Sequence, residues 1–306
     1  MTWFFLAILG PLFFAVTNHI DKALLERYFK DGGVGTLMLF SSLLSIFALP
    51  IFYVIDPSIL SVSWPNMLFL TFVGVLNVLV LFCYFLALDG DEASIVVVFY
   101  QLVPVFGYIL GYLVLGETLT KMQIIAMALV ILGTSVVALE IDEENKFKLR
   151  KKTVFYMTTA AFLWGLESVL FKFVAIEENV VRSLFWEHVA LVLVGAGIFL
   201  TVTSYRNHFI TAFKDNSSRI LSLNFLNECL YMSGNASVAF ALVLAPVSLV
   251  LLANSFQPIF VLGIGIILTL FFPKIAVEKI YAHHLWQKIF AIIITGIGTY
   301  LLLAPV

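Results

Sequence analysis

The chain has 306 residues, 62% of them hydrophobic and 12% charged, with 30 Phe and a mean hydropathy of +1.06. Soluble domains carry about 25% charged residues, so 17 basic and 19 acidic side chains gathered in short stretches exclude a soluble surface. The net charge of −2 and the lack of a basic tract exclude nucleic acid as a partner, and leave an integral membrane protein whose partner is the lipid bilayer.

A helix needs about 20 mostly apolar residues to cross the hydrocarbon core, and ten windows meet that need. They run Trp3–Ile20, Val34–Ile55, Met67–Leu88, Ala93–Leu115, Met122–Leu139, Val154–Ala175, Leu184–Thr203, Ile220–Val243, Val247–Phe272 and Leu285–Leu303. The first lacks a basic n-region and a small-residue cleavage site, and so reads as a span and not as a cleaved signal peptide. Most connections are short turns such as Asp89–Glu92, where acidic residues and Gly90 end one helix and cap the next. The composition shifts once, in a charged linker at 140–153 that is acidic first and basic after. It divides a first half, 1–139, from a second, 154–306. Cys83 and Cys229 lie inside apolar windows and read as free thiols, with no disulfide and no metal spacing.

The halves repeat each other. Adding 154 to Ser94, Pro104, Phe106 and Gly111 gives Ser248, Pro258, Phe260 and Gly265. Lys22 matches Lys172 at an offset of 150, and Gly133-Thr134 matches Gly298-Thr299 at 165, which places the extra residues in the Pro273–His284 connection. Five spans per half is an odd number, so the second half enters the membrane in the opposite sense. The expected fold is all-α, with ten transmembrane helices as two inverted five-helix repeats around a central cavity.

Leu102-Val103-Pro104-Val105, then Gly116-Glu117-Thr118-Leu119, then an apolar span closing on Gly133, resembles the EamA-like repeat of the drug/metabolite transporter superfamily. Phe162-Leu163-Trp164-Gly165 followed by Lys172 is similar to the opening helix of that repeat. The resemblance implies secondary transport through a central cavity, often export of amino acids or other metabolites, and cytoplasmic termini. Two departures stand out. Phe272-Pro273-Lys274 replaces Gly-Glu in the second copy, and Leu39-Phe40 and Glu187-His188 stand where many members carry a basic residue.

The eighth window places Asn224, Asn227, Glu228, Tyr231 and Asn235 at spacings of three and four, which makes one helix face polar. Such a face turns to a watery cavity or to an interhelical hydrogen-bond seam, and its carboxyl favours the cavity. Phe14, Thr17, Asn18 and Asp21 share a face of the first span, as Trp164, Glu167, Ser168 and Phe171 do of the sixth. Glu167, halfway along its span, reads as functional; Asp21, near a helix end, reads as a solvated acid, and His19 as a packing residue. Glu187 and His188 begin the seventh span, at the interface or buried, while His283 and His284 read as solvated. Pro104 and Pro258 interrupt their helices as gating positions, freeing carbonyls to line a cavity beside Tyr100, Gln101, Asn254, Ser255 and Gln257.

No Arg lies within a span and Lys172 is the one basic residue well inside, which excludes an Arg clamp for phosphorylated solutes. Glu167 and Glu228 with Trp164, Tyr100 and Tyr231 suit a small cationic or zwitterionic solute, or a coupled proton. The chain holds no metalloprotease, nucleophile-elbow or phosphate-loop motif, so no enzyme, prosthetic group or metal is expected. The rival readings are a membrane-embedded enzyme and a non-transporting scaffold or receptor. The setting expected is the plasma membrane of a prokaryote. Connections after odd-numbered spans hold 14 Lys and Arg against three on the other side. By the positive-inside rule that puts both termini outside, the reverse of what the resemblance implies.

Overall fold

The computed structural model describes residues 2–29, 33–91, 93–138, 151–215, 217–271 and 293–301. Among these residues there are helices and no strand. In chain order the helices are α1 (Thr2–Arg27), α2 (Gly33–Ile55), α3 (Trp64–Gly90), α4 (93–115), α5 (Lys121–Ala138) and α6 (Lys151–Glu178). They continue with α7 (Val180–Thr201), α8 (Thr203–Asp215), α9 (Ser217–Leu242), α10 (247–271) and α11 (293–301). Glu140–Arg150 of the linker, the Pro273–His284 connection with its two histidines, and 285–292 of the tenth window lie outside the described residues.

Among the described residues six helices are long and apolar enough to cross a membrane: α1, α2, α3, α6, α7 and the 247–268 part of α10. The apolar parts of α4 and α5, Phe99–Leu115 and Lys121–Gly133, are shorter. At 26 residues α9 has the length to cross, but its polar stripe lowers its hydropathy. The protein is a multi-pass integral membrane protein.

One helix was not expected. Thr203–Asp215 is too short and too polar to span, yet Tyr205 and Phe209 recur one turn apart and dock it on α2. The Tyr205 ring covers Gly35, and Phe209 meets Phe40 with ring centroids 4.5 Å apart.

Both prolines sit differently from the expectation. Each stands in the first turn of an α segment, Val103–Leu115 or Gln257–Phe271, directly after a 3-10 stretch, Val97–Leu102 or Ala253–Phe256. A proline has no N–H to offer the carbonyl four residues back, and its ring crowds that carbonyl. The preceding turn tightens instead. The Val103 N–H donates to the Tyr100 carbonyl, and the Gln257 N–H to that of Asn254. The carbonyls expected to be freed for the cavity are therefore taken by the 3-10 turns. The two breaks touch where the Gln101 amide donates to the Ser255 carbonyl at 3.2 Å.

Glycines set how closely the helices approach. A Cβ on Gly74 of α3 would run into the Glu187 carbonyl of α7 and lie 2.6 Å from Ala190 Cβ. Gly10 and Gly234 bring α1 and α9 together in the same way. Gly116, with φ of 65°, ends α4 in the left-handed conformation that favours glycine.

That turn carries Glu117 back over the bundle. Its carboxyl receives the Lys172 ammonium at 2.6 Å and the Val247 N–H at 2.7 Å, and Lys172 also donates to the Ala245 carbonyl at 2.7 Å. At the other end Lys22 donates to the carbonyls of Leu88 and Asp91, both at 2.9 Å, and pairs with Glu26 at 3.3 Å. Thr153, near the start of α6, hydrogen-bonds Asp91. From Thr153 to Lys172 the rise along α6 is about 28 Å at 1.5 Å per residue, close to the ~30 Å hydrocarbon thickness. The two lysine clasps thus close opposite ends of the bundle.

Candidate functional site

Between the clasps α1, α3, α4, α6, α9 and α10 line a cavity. Thr17, Asn18, Asp21, Tyr84, Tyr100, Trp164, Glu167, Tyr231, Asn235 and Gln257 line it with Phe14, Asn77, Val80 and Leu81. The space of about 50 Å³ holds a few waters, since one water needs roughly 10–15 Å³ on that measure.

Two hydrogen-bond chains build its polar wall. Gln257 Nε2 donates to Asn18 Oδ1 at 2.7 Å, Asn18 Nδ2 to the Tyr84 hydroxyl at 2.6 Å, and that hydroxyl to Asp21 Oδ2 at 3.2 Å. Asn227 Nδ2 completes the shell of Asp21 by donating to Oδ1 at 2.6 Å. In the second chain Tyr231 donates to Asn77 Oδ1 at 3.0 Å and Asn77 Nδ2 to Glu187 Oε1 at 2.8 Å. Asn235 lies beside Glu187 without completing a hydrogen bond through its Nδ2. Glu167, 6% exposed, has one weak partner among the described residues, the Ser168 hydroxyl at 3.4 Å. Gln257, 1% exposed, keeps an Oε1 that is unpartnered among the described residues.

The apolar wall is aromatic. Trp164 meets Tyr100 edge-on at 5.1 Å and Phe14 at 5.9 Å, and Phe14 lies 5.6 Å from Tyr231. Gly165 lets α6 approach α4, where a Cβ would lie 3.0 Å from Phe106 Cβ. That approach brings the neighbouring Trp164 within reach of Tyr100.

The structure brings together Thr17, Asn18, Tyr100, Trp164, Glu167, Tyr231, Asn235 and Gln257, and places four other expected residues in seams. Glu228 accepts from Ser45 of α2 at 3.0 Å, and Asn227 serves Asp21. Gln101 ties the two 3-10 breaks, and Asn254 is fully buried beside Ser255. The polar face of α9 is thus both cavity and seam, divided along its length. Asp21 is not solvated: it is 4% exposed and lines the cavity, because the helix continues six residues past it to Arg27. Glu187 and His188 are buried, at 1% and 2%. His19 packs as expected, its Nε2 donating to the Val261 carbonyl at 2.9 Å. Cys83 and Cys229 are free thiols.

Sequence reasoning missed Asn77 and Tyr84. They lie two helical turns apart on one face of the third window, a signal hidden by its otherwise apolar composition. Among the described residues no three His, Cys, Asp or Glu side chains gather as a metal set.

Residues 1–139 match the model of the EamA-like transporter family. No curated protein matches the chain. One solved structure, described only as a crystal structure of a protein, aligns with 98% of this chain and 94% of its own at a TM-score of 0.61 and 14% identity, a likeness of fold alone. The matching family is one of transporters. Over residues 1–139, somewhat less than half of its length, this multi-pass membrane protein is therefore similar to the EamA-like transporter family.

Proposed function

We propose that the protein is a secondary-active transporter that moves a small metabolite, an amino acid, an amine or another cationic or zwitterionic solute, through this cavity by alternating access of two inverted five-helix halves, ten spans in all. Two acids, Asp21 and Glu167, line a cavity whose described wall has no cation, and this observation carries the reading. A carboxylate buried without a counter-charge is costly, so the site calls for a positive partner that comes and goes, a proton or a solute. The related clasps support the two-half arrangement. Lys22 and Lys172 each bind a carbonyl at repeat-related positions, Asp91 and Ala245, which are 154 apart like the prolines.

The test uses proteoliposomes holding a trapped pH-sensitive dye, challenged with single amino acids and amines. Proton movement evoked by at least one compound in the wild type, and lost in Glu167→Gln, is the expected result. Proton flux unchanged in Glu167→Gln at every pH removes Glu167 from coupling, and the absence of movement of any compound overturns transport.

A further inference from the structure

The ionisable acids of the cavity, Asp21 and Glu167, face no described cation, and although the buried Asn235 Nδ2 is a donor without a partner, this one-sided charge selects a ligand. Gln257 spends its N–H on Asn18, and its buried Oε1 is left without a donor. The amide and hydroxyl donors of Asn18 and Tyr84 run on toward Asp21, and the Tyr231 hydroxyl toward Asn77. Glu167 offers a carboxyl held only weakly by Ser168. Around these acceptors stand the rings of Phe14, Tyr100, Trp164 and Tyr231, whose faces attract a cation. No described Lys, Arg or His lines the cavity.

We propose that the cavity takes a protonated primary or secondary amine that carries no carboxylate. Its N–H donors serve Gln257 Oε1 and the Glu167 carboxyl, and its hydrocarbon part lies among the four rings. An amino acid of the same side chain would bring its carboxylate against Asp21 and Glu167 with no cation to receive it. A quaternary ammonium would satisfy the rings and the acids but leave the buried Gln257 oxygen without a donor. Selection against both follows from the unpaired group each leaves behind.

This inference rests on reading the cavity as the solute site, and it is tested by binding, apart from transport. Purified full-length protein is titrated calorimetrically with three matched sets: isobutylamine and valine, phenylethylamine and phenylalanine, histamine and histidine, each with its trimethylammonium analogue. The amine is expected to bind about tenfold or more tighter than its amino acid and its quaternary analogue in at least one set, one unpaired buried group being worth about that factor. Gln257→Leu should bring amine and quaternary affinities to within about twofold of each other, and Glu167→Gln should weaken both. Gel filtration shows whether each variant stays folded; if Glu167→Gln does not, the amine-to-quaternary ratio in Gln257→Leu decides. Equal or tighter binding of the amino acids, no amine binding at millimolar concentration, or an unchanged ratio in Gln257→Leu overturns the proposal. If the amino acids win while the liposome assay still records coupled proton movement, only the ligand class falls.

Discussion

Asp21 shows how little a position in the sequence says about the solvation of an acid. It stands near the end of its apolar window, yet α1 continues to Arg27 and Asn227 reaches across from α9 to hold Oδ1 at 2.6 Å. Replacing Asn227 with Leu leaves that buried oxygen without its donor, and the expected cost is about 1–3 kcal/mol, read by denaturation in detergent. Outside the membrane Asp56 is a different case. Its carboxyl accepts from Ser58, Asn179 and Arg182, which hold it well below the ordinary value of 3.8. A folded-state pKa below the unfolded one gives stability that is present above the unfolded value and drains as pH falls beneath it. The wild type is therefore expected to melt at a higher temperature than Asp56→Asn at neutral pH, and the gap should close as the pH drops below about 4. A gap that persists at acid pH would mean that the Asp56 charge is not what holds this loop.

At the scale of the helix, the apolar windows, the paired prolines and the polar face of α9 could all be read from residue spacing. What escaped depends on partners distant in sequence. The 3-10 turns before Pro104 and Pro258 arise from the missing N–H that the prolines revealed, but which group takes each carbonyl is visible only in the folded backbone. Nor does a spacing of three and four tell cavity from seam: Glu228 and Tyr231 share a stripe, and Ser45 draws one of them away. The close helix approaches carry their own expectation. Gly74→Ala drives a methyl into the backbone of α7, and should cost about 1–3 kcal/mol as other overpacked sites do. Gly263→Ala meets open space and should be neutral or stabilising by up to about 1 kcal/mol, because alanine favours helix. Thermal melts of the two variants side by side check both.

For the whole molecule, composition alone placed the chain in a membrane, and Gly116-Glu117 marked the turn that the structure uses as half of a clasp. The excess of Lys and Arg after odd-numbered spans predicts that both termini lie outside. A C-terminal tag should therefore be open to protease in intact cells, and protection would favour the opposite orientation that the family resemblance implies. The clasps themselves differ in strength. Lys172 and Glu117 are 9% and 16% exposed, whereas Glu26 beside Lys22 is 60% exposed. Lys172→Met strands Glu117, and should lower stability by about 3–5 kcal/mol in a denaturation series, with part recovered when Glu117→Gln is added. Under the proposed alternating access, a charged lock at one end and a lock mainly of carbonyls at the other would not open with equal ease. The Lys22 end is the softer one, so at rest the protein should show one face to water more often than the other, and salt or a change at Glu117 should shift that preference.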